Sequence, residues 1–102
     1  MAFAAVLKLI ELHPDANGFY VAPGAHMTIP LDIISRREGF VGAETFAAVD
    51  PRNNRKLTRD LEKMAHRPEQ YRYVFFCSPK FPGFQRHPTL ETNSVQVWSI
   101  DV

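Results

Sequence analysis

The sequence predicts a single α+β domain: a small antiparallel sheet with two or three helices packed on it. Length, hydrophobic periodicity and turn chemistry are the three observations that predict it. At 102 residues the chain is one domain, residues 1–102, because two separate cores would each be too small for burial to outweigh chain entropy. A hydrophobic content of 45% with 23% charged residues matches folding globular chains and argues against intrinsic disorder. Apolar residues recur at helical spacing near the N-terminus and in the middle of the chain, whereas aromatic and β-branched runs dominate its last third. Pro, Gly and Asn clusters punctuate the segments between.

In residues 2–12, Phe3, Val6, Leu7 and Ile10 repeat at the helical interval, with Ala4, Lys8 and Glu11 on another side; His13 before Pro14 disfavours continuation. "HPDANG" is a turn, since Asn17 and Gly18 tolerate positive φ. "FYVAP" and "AHMTIP" are short extended pieces, each closed by a proline. Pro30 then opens a predicted helix over 31–38, "LDIISRRE", which Gly39 ends. Residues 40–49, "FVGAETFAAV", fit no single period. Asp50 as N-cap and Pro51 at the first helical position start a helix spanning 51–66, with His66, Arg67 and Pro68 at its end. Strands follow at 71–78, "YRYVFFCS", and 94–101, where Val95, Val97 and Ser99 alternate with Gln96, Trp98 and Ile100. The loop between them, "PKFPGFQRHPTLETN", is rich in turn-formers yet carries Phe81 and Phe84.

A formal charge of +1 gives no whole-chain argument for a polyanion, so the distribution of charge decides. Cys77 is the single cysteine and sits in an apolar run, which suits a buried structural thiol in a reducing compartment, the cytosol. "MAFAAVLKLIEL" is too short to span a bilayer and is interrupted by Lys8 and Glu11, so no membrane partner is expected.

The segment 50–68 is the densest run of Lys and Arg. On a helix at about 100° per residue, Leu57, Leu61, Met64 and Ala65 fall on one side. Arg52, Lys56, Arg59 and Lys63 fall on the opposite side, with Asp60 and Glu62 displaced to its flanks. Like charges four residues apart, and cations in the first turn, each cost from a few tenths to about 1 kcal/mol, and a bound anion relieves both. The stripe therefore points to a small non-enzymatic binding module, regulatory or adaptor in kind, whose partner is nucleic acid or an acidic protein surface. The plainer alternative is a wetted helix surface. Phe81, Phe84 and Arg86 form a second candidate contact, either a docking knob, a base-stacking platform or a lid over the core; a homodimer would also bury such rings.

Two resemblances imply narrower functions. "IPLDIISRREGF", a turn and "KLTRDLEKM" resemble a winged helix-turn-helix, which implies a DNA-binding regulator with the C-terminal strands as the wing and Phe81 and Arg86 at its tip. "AHMTI" and "RHPTL" are similar to the paired His-x-Thr motifs of the 2H phosphoesterases. That resemblance implies a catalytic set of His26, Thr28, His87 and Thr89, acting on RNA-type phosphodiesters as base, acid and two hydroxyl donors. No Cys/His spacing matches a zinc site, and no Walker loop or GxGxxG occurs, so neither metal nor cofactor is expected.

Overall fold

The computed structural model describes residues 1–22 and 30–101. Helix α1 (Ala2–Leu12) precedes strands β1 (Phe19–Val21), β2 (Ile33–Ser35) and β3 (Val41–Ala47). Helix α2 (Arg55–Ala65), β4 (Tyr71–Cys77), β5 (Gln85–Arg86) and β6 (Val95–Ser99) complete the chain, with 3-10 turns at Pro51–Asn53 and Pro88–Leu90. The strands form one six-stranded sheet in the order β1-β2-β3-β4-β6-β5. β3, β4 and β6 run parallel, and the outer pairs are antiparallel.

The architecture is α+β, but the sheet is larger than expected and mixed; β4 and β6, predicted as antiparallel partners, are parallel neighbours. The reason is visible in β4. Tyr73 and Phe75 enter a core with Ala5 and Leu9 of α1, whereas Val74 and Phe76 enter another with Leu57, Leu61 and Met64 of α2. A strand apolar on both faces must be covered on both, the usual situation of a parallel strand between helices. Helix α2 supplies the crossover that parallel β3 and β4 require.

The helix predicted over 31–38 does not form: Ile33–Ser35 is strand β2, paired with β1 and β3. Its assumed stop signal, Gly39 at φ 69°, instead turns the β2–β3 connection, and Ser35 Oγ closes that connection by accepting from Val41 N at 2.9 Å. Without that helix, and with β4 and β6 parallel, the described residues do not form a winged helix-turn-helix arrangement. Residues 41–47, which fitted no period, are the sheet's longest strand together with β4. The expected helix 51–66 divides: residues 51–53 are a 3-10 turn, and Asn54 is extended and caps α2 by accepting from Lys56 N at 2.7 Å. α1 forms as expected but the other way round. Ala5 and Leu9 are buried, and Phe3, Leu7 and Ile10 face outward.

Candidate functional site

The α2 face of the sheet concentrates the chain's unusual charges. The β2–β3 register, Ile33 opposite Ala43, sets Asp32 opposite Glu44. Glu44 alternates with Ala43 and so points to the α2 side, where Phe46 also packs. Like charges directly opposite on one face destabilise a sheet, so the pair needs a local reason to persist. Asp32 Oδ2 is anchored by Thr45, accepting from its backbone N at 2.9 Å and its hydroxyl at 3.2 Å. Above Glu44 lies α2. Lys63 Nζ stands 2.5 Å from Glu44 Oε1, an ionic contact not aligned as a hydrogen bond. Two turns back, Lys56 Nζ donates to Asp60 Oδ1 at 2.9 Å. Asp60, expected on the flank of the cationic stripe, is instead 2% exposed among Leu57, Leu61 and Met64, and its Oδ2 has no hydrogen-bond partner.

Three carboxyls thus meet two ammonium groups, one negative charge in excess when all are ionised. Burial, with Asp32 near enough to share a proton, raises the Glu44 pKa to about 7 despite Lys63. Burial likewise pushes Asp60 up, and the bond to Asp60 raises Lys56, which stays charged. Gly42 precedes Glu44 on the same face; a Cβ there would meet Leu31 Cδ1 at 2.6 Å and Glu69 Cγ at 3.1 Å, so only glycine lets these two close over β3. Glu69 is in turn held by Arg67 through two bonds of 2.9 Å. Arg72 ties the helix end to the sheet, donating to the carbonyls of Met64 at 3.0 Å and Ala65 at 3.1 Å.

The four predicted cations scatter. Arg52 lies outside α2 and forks onto Asp50 at 3.0 and 2.8 Å, which also accepts from Lys80 at 3.3 Å; Arg52 holds the Asp50 carboxyl well below the usual carboxylate range. Lys56 and Lys63 sit over buried carboxylates, with about half of each side chain still exposed. Arg59 is exposed and has no ion partner among the described residues. Arg55, one turn before it and missed in the sequence, is placed likewise. The exposed stripe is therefore Arg55, Arg59 and Lys63, at successive i,i+4 positions, with Lys56 at its edge.

Phe81 and Phe84 part company. Phe81 folds back on Phe76 and His87, with ring centroids 5.6 and 5.1 Å away, and Arg52 lies 5.4 Å over its ring. Phe84 is 46% exposed on the α1 side, where it lines a small groove with Ala4 and Leu7. Arg86 is neutralised by Glu91 through two bonds of 2.8 Å. Of the His-x-Thr pairs, His26 and Thr28 lie outside the described residues. His87 caps the 3-10 turn Pro88–Leu90 rather than sitting in a strand, so it and exposed Thr89 do not share a strand face. His87 Nε2 lies 2.9 Å from Ser99 Oγ, and burial lowers its pKa.

One further group was not anticipated. His13, read only as a turn residue, is 9% exposed with Nε2 2.5 Å from the Tyr73 hydroxyl. Cys77, expected buried, is half-buried. No helix among the described residues is long and apolar enough to cross a membrane. No family model matches the chain, and no curated protein or solved structure is similar to it.

Proposed function

We propose that the outer face of α2 contacts the phosphate backbone of nucleic acid, the chain acting as a small binding module. The observation that carries this reading is the stripe Arg55, Arg59, Lys63: three like charges at i,i+4 spacing, two of them with no counter-ion among the described residues. Such spacing costs a free helix a few tenths of a kcal/mol per pair, and polyanion binding recovers it. Asp60, drawn beneath Lys56, and Glu44, beneath Lys63, fix where those side chains project. The reading is tested with a fluorescein-labelled 20-base single strand and its duplex at 50 mM salt. Binding that weakens steeply as salt rises supports it; no binding at low salt overturns it and leaves an acidic protein surface as the partner.

The Asp32–Glu44 pair favours a second reading, hydrolysis rather than binding alone. We infer that these two carboxyls attract a divalent cation. No three His, Cys, Asp or Glu side chains among the described residues stand close enough to enclose a metal, so the pair would share the ion with water and phosphate oxygens, as Mg²⁺ sites commonly do. Lys63 would then meet the charge that develops on the phosphate. Calorimetry with Mg²⁺ or Mn²⁺ alone, against an Asp32→Asn variant, separates the readings. Heat that is lost in the variant, together with metal-dependent cleavage of a plasmid, supports hydrolysis; its absence leaves binding alone.

The outward stripe of α1, with Phe3 74%, Leu7 54% and Ile10 50% exposed, supports a homodimer as the assembly. Sedimentation of Leu7→Glu against the parent chain tests this, with a shift to monomer expected. The single thiol Cys77 supports a reducing compartment, the cytosol.

A further inference from the structure

On the face of the sheet opposite α2, beyond the C-terminal end of α1, lies an open cavity of about 500 Å³. Its size falls within the usual range for small-molecule sites. The backbone sets its dimensions. Tyr73 pairs with Gln96 and Phe75 with Trp98 across β4–β6, so Tyr71 and Trp98 stand two residues to either side of the Tyr73–Gln96 pair on the same face. Four residues of strand separate their levels, about 13 Å, which is long enough for a bicyclic ring. One wall is a cluster of rings: His13 lies 4.6 Å from Tyr71 and 5.5 Å from Phe40, and Phe40 lies 5.3 Å from Tyr71. Tyr71 is 38% exposed, a large aromatic left uncovered at the cavity's edge. The Trp98 indole donates to Gln96 Oε1 at 3.0 Å, which leaves the Gln96 amide NH₂ as a free donor beside the cavity.

The electrostatics point to an uncharged occupant. Arg86 at the rim is spent on Glu91, Asp15 faces Arg37 at 3.4 Å, and Lys8, whose ammonium lies 5.0 Å over one face of the Trp98 ring, pairs with Glu11 at 3.5 Å. In the floor, burial lowers His13 and pushes Tyr73 up to about 12, so both are neutral at pH 7 and share one hydrogen bond between His13 Nε2 and the Tyr73 hydroxyl. We propose that this cavity binds a neutral heteroaromatic ring of nucleobase type, stacked on Tyr71 or Trp98 and accepting a hydrogen bond from the Gln96 amide. The site is separate from the α2 face, and the proposal stands without the phosphate reading.

Trp98 is the only tryptophan of the chain, so its fluorescence reports the cavity directly. The probes are adenosine, guanosine, cytidine and uridine, each titrated to millimolar concentration, and then a short oligonucleotide to distinguish a free base from one in a strand. Saturable quenching by at least one nucleoside is expected, weakened at least tenfold in Tyr71→Ala and in Gln96→Ala. A melting curve for each variant confirms that it is folded; Tyr71 is exposed and Gln96 half-buried. A linear, non-saturating response to all four nucleosides and to the oligonucleotide overturns the proposal, as does saturable quenching that both folded variants retain. Quenching by the oligonucleotide alone assigns the cavity to a base within a strand.

Discussion

Glu44 is the residue whose environment departs furthest from its ordinary one. Its pKa, near 7 against an ordinary 4.5, means the folded chain holds a proton there that the unfolded chain releases at lower pH. The native state binds more protons than the unfolded one between those values, so this group's contribution is complete below about pH 4.5 and lost as pH rises through 7. Relative to the parent, Glu44→Gln should therefore gain stability between pH 5 and pH 8, by roughly 1–3 kcal/mol, measured by urea unfolding at the two pH values. An equal offset at both would show that Glu44 is ionised throughout. His13 carries the opposite sign. Its pKa is lowered by burial, so its contribution is present above its unfolded value of 6.5 and lost as pH falls further. Gly42 has a steric role, and Gly42→Ala should lower stability by about 1–3 kcal/mol, since Leu31 must move to admit a methyl group.

At the scale of elements, the cap of α2 makes the division at Asn54 testable. Removing its side-chain bond to Lys56 N in Asn54→Ala should cost about 1 kcal/mol, seen as a drop in Tm, whereas Arg52→Ala should leave the helix intact because Arg52 lies outside it. This is also where the sequence was legible and where it was not. Leu57, Leu61 and Met64 spelled out the buried side of α2 correctly. Asp60 did not, because periodicity assigns a carboxylate to water and cannot anticipate an ammonium folded over it. β3 was illegible for a related reason: Gly42, Glu44 and Thr45 break the apolar run, and each is explained only by neighbours distant in sequence, Leu31, Lys63 and Asp32. Pro30 and Gly39 bracketed β2 as readily as a helix, since both residues mark boundaries rather than the element between them.

Across the whole molecule, the sheet separates two surfaces of different character. The α2 side gathers charge: buried carboxyls below, cations above. The α1 side gathers rings and uncovered aliphatic groups, from Phe3 on the helix to Trp98 on β6. The parallel strands β3, β4 and β6 were hidden in the sequence because their pairing depends on two crossovers, and only the double-faced apolar content of β4 hinted at it. The single +1 charge conceals this polarity, for it is an average over two unlike faces.

The most direct test of the phosphate reading is the salt dependence of oligonucleotide affinity in the parent chain and in Arg55→Ala/Arg59→Ala. Two contacted phosphates fewer should flatten the plot of log affinity against log salt by about 1.4–1.8 for single or double strands and weaken binding at every salt concentration. Parallel plots for the two proteins, with equal affinity, would mean that the cations of α2 face water and nothing else.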